Sequence, residues 1–284
     1  MHRYFLFLSY HGAAYHGWQV QPNAVSVQQK INEALSLLLG QTVSITGAGR
    51  TDTGVHAKKM AAHFDSEKEL DTKQTAYRLN RILPPDIAIH ALREVRPEAH
   101  ARFDAQERTY HYFLCQHKDP FLTDSAAHMP FELDFKKMNE AAKMLLSVSD
   151  FTSFSKLHTD AKTNICRLKR AVWEEVSPGV WRFEITADRF LRNMVRAVVG
   201  TLLEVGRGKK TLEDFRQIIE SRNRCAAGDS VPAHGLFLVD VVYPTDIFLW
   251  RCVIIANLLR CYRIRAWSCT SVHSLRPHPQ RLAS

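Results

Sequence analysis

Strand-like and helix-like segments follow one another in nearly the same order twice along this chain, and that repeated order limits its fold more than any single motif does. In the first run, residues 3–10 read as a strand rich in aromatic residues. Ser26-Val27-Gln28-Gln29 then has the spacing of a capping box, in which Ser and Gln side chains satisfy free backbone donors at a helix start. Ile31, Ala34, Leu35, Leu38 and Leu39 mark one apolar face at helical spacing, and Gly40 ends the helix. Residues 43–46 predict a short strand running into a glycine-rich loop, residues 47–54, and residues 55–64 predict the next strand. A helix over 72–83 is stopped by Pro84-Pro85, a strand follows at 87–95, and a further strand at 108–115 opens the second half.

The second run repeats the theme. Asp134 caps a helix through Leu146, and residues 166–176 and 180–187 read as a hairpin around Ser177-Pro178-Gly179. A strongly apolar helix is expected over 190–205, closed by Gly206; Thr211 starts another, and 235–242 form a final strand. Strict strand–helix–strand alternation is missing, which predicts the α+β class: antiparallel sheets with helices on one face. A chain of 284 residues suits two domains or one large one. The two runs divide it into α/β halves at 1–104 and 105–244, with a cleft between them, as after an ancient duplication, although no sequence self-similarity accompanies the repeated order.

Residues 245–284 break the pattern, having neither clean periodicity nor loop-like polarity, and are expected outside the core. They hold six arginines and one acid, Asp246, so this tail carries +5 of the chain's net +9. A basic balance favours a polyanionic partner such as nucleic acid. With only +4 left in the body, any RNA site there has to be a local basic groove. The six cysteines form no Cys-x-x-Cys pair and no zinc-ligand spacing, which reads as reduced structural thiols. The apolar stretch at residues 4–8 is too short for a signal peptide, and 247–259, interrupted by Arg251, is too short to span a bilayer. No membrane partner and a cytoplasmic location are expected.

Three segments carry residues suited to chemistry. Gly47-Ala48-Gly49-Arg50-Thr51-Asp52-Thr53-Gly54 permits tight backbone geometry and close ligand approach, yet it fits neither a P-loop nor a dinucleotide fingerprint. Asp52 there is either a turn aspartate bonding its own backbone or a carboxylate held for catalysis. In Arg189-Phe190-Leu191-Arg192-Asn193-Met194-Val195-Arg196, helical spacing puts Arg189, Asn193 and Arg196 on one face beside an apolar stripe. That face is either solvated, or Arg196 pairs with an anion from elsewhere, for which Asp52 is the natural candidate. In Arg108-Thr109-Tyr110-His111-Tyr112-Phe113, strand alternation puts Tyr110 and Tyr112 on one face, as core aromatics or as a surface for a base.

Together these segments resemble the bacterial tRNA pseudouridine synthase A family, the tRNA pseudouridine(38-40) synthases. The family signature Gly-Arg-Thr-Asp-x-Gly-Val-His is matched by Gly49-Arg50-Thr51-Asp52-Thr53-Gly54-Val55-His56. Tyr15-His16-Gly17-Trp18-Gln19, Ser26-Val27-Gln28, His100-Ala101-Arg102-Phe103, Asp150-Phe151-Thr152-Ser153-Phe154, Met194-Val195-Arg196 and Gly235-Leu236-Phe237-Leu238 match in order, up to about Tyr243. The resemblance implies two RNA-recognition-like halves flanking a catalytic cleft, a homodimer, and no metal or organic cofactor. It implies isomerisation of uridine to pseudouridine at positions 38, 39 and 40 of the tRNA anticodon arm, with tRNA and not DNA as partner.

Residue by residue, the resemblance makes Asp52 the nucleophile, attacking C6 of the base or C1′ of the ribose. Arg196 becomes the arginine paired with it, and Tyr110 the tyrosine that contacts the target base and assists loss of the C5 proton. Arg50 becomes the arginine that enters the RNA as the base is flipped, since a stacked base hides the atoms to be attacked. Two other classes compete with this enzyme: an RNA-binding module on the same scaffold, and a nucleotide-dependent metabolic enzyme. A pure binder has no need of a carboxylate near phosphates, and the missing phosphate loops count against the second.

Overall fold

Alternation along β1 (His2–Tyr10) sets up the first half of the molecule. Tyr4, Leu6 and Leu8 are buried with Ile31 and Leu35 of α1 (Val27–Leu39) and Leu79 of α2 (Thr72–Ile82). The intervening Phe5 packs instead with Val95, Ala99, Ala101 and Ile247. The computed structural model describes residues 1–156 and 163–249. Its strands β2 (Thr46–Gly47), β3 (His56–Ser66), β4 (Ile87–Val95), β5 (Glu107–Cys115), β6 (Ala127–His128), β7 (Leu168–Ser177), β8 (Val180–Ala187) and β9 (Leu236–Val242) join β1 in one nine-stranded sheet. The order is β4-β1-β3-β9-β5-β8-β7, with β2 on β3 and β6 on β5. Pairing is antiparallel except at β3·β9 and β5·β6. The α+β class follows, with a mostly antiparallel sheet and five α-helices among the described residues.

The parallel β3·β9 pair, His56↔Phe237 and Ala57↔Leu238, joins strands from the two runs of the sequence. A second apolar cluster gathers Tyr112 and Leu114 of β5 with α3 (Phe135–Met144), α4 (Met194–Gly206) and α5 (Leu212–Ser221). Tyr110 packs against both clusters.

Helix starts follow the sequence closely. Ser26 accepts a hydrogen bond from the Gln29 amide, but the Gln29 side chain turns to Glu33, so only half of that capping box forms. At Thr211 and Asp214 both halves form. The expected strand at 43–46 shrinks to the two residues of β2.

The largest departure is at α4. Helix from residue 190 is not found: Asn193 takes a left-handed conformation (φ 66°) and α4 begins at Met194. Arg189, Asn193 and Arg196 therefore do not share a helical face. The apolar spacing runs on through the break, and Asn tolerates the left-handed region, so the pattern concealed it. At the other end α4 runs through Gly206, and the left-handed glycine is Gly208.

Residues 245–249 pack on the sheet: Ile247 is buried, and Phe248 bridges to Val95 and lies against Phe5 and Phe7. The rest of the expected tail, 250–284, lies outside the described residues. Cys115, Cys166 and Cys225 are free thiols. Among the described residues no helix is long and apolar enough to cross a membrane.

Candidate active site

The loop between β2 and β3 is held by the segment that follows β1. The Trp18 amide donates to the Thr51 carbonyl at 3.2 Å and the Gly54 amide to the Tyr15 carbonyl at 3.4 Å. Tyr10 and Thr51 share a hydroxyl–hydroxyl hydrogen bond of 2.8 Å. Contact is close enough that side chains are barred. A Cβ on Gly17 would lie 2.4 Å from the Thr51 carbonyl oxygen, and one on Gly12 would lie 2.0 Å from that of Val55. The Gly17-Trp18 sequence is thus a mould for the loop that carries Asp52.

Asp52 faces two arginines. Its Oδ2 is 3.4 Å from Arg196 Nη1, and its Oδ1 is 3.9 Å from Arg192 Nε. Arg196 is fixed independently, because its Nε donates to the Val231 carbonyl at 2.7 Å. Arg192 lies just before the left-handed Asn193, and Arg196 in the first turn of α4. The Asp52 side chain is 29% exposed and Arg192 58%. Such open pairs contribute no more than about 1 kcal/mol to stability. Stability alone is a weak reason for two guanidinium groups to converge on one carboxylate.

Tyr110 is half-buried on β5, its ring edge-on to Phe190 at 5.1 Å. Burial pushes its phenol up to about 12, and the nearby Asp52 charge adds to the rise. Arg108 acts in the opposite direction. Among the described residues its hydroxyl has no hydrogen-bond partner, so it is available to a ligand. Tyr112 differs: it is fully buried and its hydroxyl donates to the Pro232 carbonyl at 3.1 Å, a packing role.

His56, at the end of the loop motif, is also structural. It accepts from the Gly12 amide at 3.0 Å through Nδ1, and its Nε2 donates to the His234 carbonyl at 3.0 Å. Burial, chiefly, and His11 lower its pKa to about 4, so it is neutral. Among the described residues no group of His, Cys, Asp or Glu could hold a metal.

Asp52, Arg196 and Tyr110 are therefore brought together, while Arg50 is exposed and contacts none of them. Two residues escaped the sequence reading. Arg192 lies in the stretch expected to be helix, four residues before Arg196, and no motif singles it out. Arg108 spends its four Nη hydrogens on four carbonyls: Ala105 at 3.1 Å, Asp188 at 2.7 Å, Ala48 at 3.0 Å and Arg102 at 2.8 Å. Burial is the main reason its pKa is lowered. It ties the Asp52 loop to the strand that carries Tyr110. Nothing in the spacing signals this, because its partners are backbone atoms from distant segments.

A family model described as tRNA pseudouridine synthase matches residues 141–244. The tRNA pseudouridine synthase A of Bacteroides thetaiotaomicron is 56% identical over 250 residues, covering 87% of this chain and 93% of that protein. The chain belongs to the tRNA pseudouridine synthase A family. The Porphyromonas gingivalis protein of that name is 54% identical, covering 88% of this chain and all of its own length. The Acetivibrio thermocellus one is 42% identical, over 84% and 98%. As a pseudouridine synthase of this family the chain is an isomerase. The resemblance drawn from its motifs is thereby borne out.

Proposed function

We propose that this enzyme converts uridine to pseudouridine at positions 38, 39 and 40 of the tRNA anticodon arm, with Asp52 as nucleophile. The observation that carries the reading is the meeting of Asp52, Arg196 and Tyr110, from three distant segments, in a chain of this family. An Asp52 oxygen forms a bond to C6 of the base or C1′ of the ribose, and the N1–C1′ bond breaks. The freed uracil turns, C5 bonds to C1′, the bond to Asp52 breaks to return the carboxylate, the C5 proton leaves and N1 gains one. The balance closes without an oxidant or reductant, so no cofactor is called for.

Arg196, with Arg192, holds the Asp52 carboxylate by charge and direction. Tyr110 keeps its proton at neutral pH, so it meets the base as a neutral phenol, and its help with the C5 proton is that of a relay. Exposed Arg50, on the same loop, enters the RNA as the base is flipped.

The halves are proposed to be RNA-recognition-like, 1–104 and 105–244, with the reaction in a cleft between them. Two facts support this. The order β4-β1-β3-β2 in the first half matches β9-β5-β8-β7 in the second. Helices follow the first and third strands of each four. A homodimer and a cytoplasmic location complete the proposal, on the strength of the family and a tRNA substrate.

The test is tritium release from an anticodon stem-loop carrying 5-tritiated uridine. Asp52→Ala should abolish release while binding of the stem-loop is retained. Release at the wild-type rate would overturn the mechanism.

A further inference from the structure

Phe103 is a large aromatic side chain left 74% exposed on a loop that is otherwise tightly bonded. Asp104 accepts from the His100 amide at 2.8 Å and donates its own amide to the His100 carbonyl at 3.0 Å. The Ala101 amide donates to His63 Nδ1 at 3.1 Å, and the Arg102 amide to His100 Nδ1 at 3.1 Å. The Phe103 ring lies 4.2 Å from that of His100, and the Arg102 guanidinium stands 5.8 Å from its centroid. A rigid, exposed aromatic with an arginine against it contributes little to the fold, since its apolar surface remains in water.

Its position gives it a use. Arg108 Nη2 donates both to the Arg102 carbonyl and to the Ala48 carbonyl in the Asp52 loop. One nitrogen therefore sets the Phe103 loop against the loop that carries Asp52, and Arg108 is two residues along β5 from Tyr110. We propose that Phe103, with Arg102 beside it, is a stacking platform for an unpaired nucleobase of the RNA, a second base site next to the one that takes the target uridine. Stacking on aromatic rings and arginine planes is how proteins hold splayed-out bases, and it accepts any base because each has a π-face. Such a platform engages a neighbour that loses its stacking partner when the target is flipped. This inference rests on the proposed RNA reaction for its substrate.

The test begins with wild-type turnover and Kd on the tritiated anticodon stem-loop, then repeats both with Phe103→Ala, Phe103→Leu and Phe103→Trp. One lost base stack predicts a rise in Kd of about tenfold, within a span of roughly 5- to 150-fold, for the Ala variant. The Leu variant should bind like Ala and the Trp variant like wild type. With Phe103 so exposed, the thermal midpoint should not move. A 2-aminopurine placed beside the target uridine should be quenched by wild type and not by Phe103→Ala.

The platform is overturned if the Ala variant binds within about twofold of wild type or if Leu restores binding. It is equally overturned if the loss of binding tracks a change in molecular mass, which would make Phe103 a contact between copies of the chain. Absence of wild-type tritium release alongside a Phe103-dependent Kd would sink the proposed reaction and leave the platform standing.

Discussion

Arg196 reaches Asp52 across 144 residues of sequence, and its Nε is already committed to the Val231 carbonyl, so its Nη1 is delivered rather than found by search. Preorganised charge of this kind acts on the reacting carboxylate without reorganisation cost. Arg196→Met should therefore lower kcat about 100-fold or more. Stability should fall by only about 1 kcal/mol, the worth of one hydrogen bond and an open ion pair. Single-turnover kinetics and a thermal melt check both, and a rate near wild type would remove the arginine from the mechanism. At this scale the sequence was informative where chemistry and motif coincide. Asp52, Tyr110 and Arg196 were legible through the resemblance, and the structure adds distances and a neutral phenol. Arg108 was illegible because it reads as one more basic residue at a strand start, and only folding brings its four carbonyls together.

Elements were readable wherever a local signal decides them. Ser26, Asp71, Asp134 and Thr211 all cap helices, because a side-chain oxygen satisfying an orphan amide needs no tertiary help. The start of α4 is not legible in the sequence, because hydrophobic spacing is blind to one left-handed residue inside it. Arg192 and Arg196, which flank that residue, both reach the Asp52 carboxylate. The parallel pairing of β3 with β9 is non-local and left no trace in either strand's pattern. The contact between the Asp52 loop and the segment after β1 makes a sharper prediction. In Gly17→Ala the new Cβ would sit 2.4 Å from the Thr51 carbonyl oxygen, at a φ of 84° that side chains rarely adopt. Strain of about 1–3 kcal/mol is expected, and the loop must move to relieve it. Displacing Asp52 by even 1 Å should cost on the order of 100-fold in turnover. Circular dichroism should report a folded protein while tritium release reports the loss. Unimpaired turnover would show that the mould does not position the loop.

At the scale of the whole molecule, two apolar clusters meet under one sheet, and Tyr110 touches both. The residue proposed to meet the substrate base therefore sits where the two clusters adjoin. The opposite side of β1 is closed by the residues just after β9. Ile247 is 1% exposed, and Phe248 lies 6.1 Å from both Phe5 and Phe7, with Arg93 over its ring at 5.5 Å. Composition could not show this, because the basic, irregular character of residues 245–284 is dominated by the segment beyond Leu249. The functional boundary of the core is accordingly predicted at Leu249 rather than at Pro244. A chain ending at Leu249 should keep its melting midpoint and its turnover, since the sheet and every proposed site residue are retained. A chain ending at Pro244 should lose roughly 1.5–3 kcal/mol for the buried Ile247 and a smaller amount for the half-buried Phe248. Its midpoint should drop by several degrees for each kcal/mol lost, as expected for a domain of this size or smaller. Turnover at a temperature well below that midpoint should still persist, because Ile247 and Phe248 pack on Phe5 and not on the Asp52 loop. Equal midpoints for the two truncations would place the boundary back at Pro244, and loss of turnover in the longer one would give the arginine-rich tail a part in the reaction.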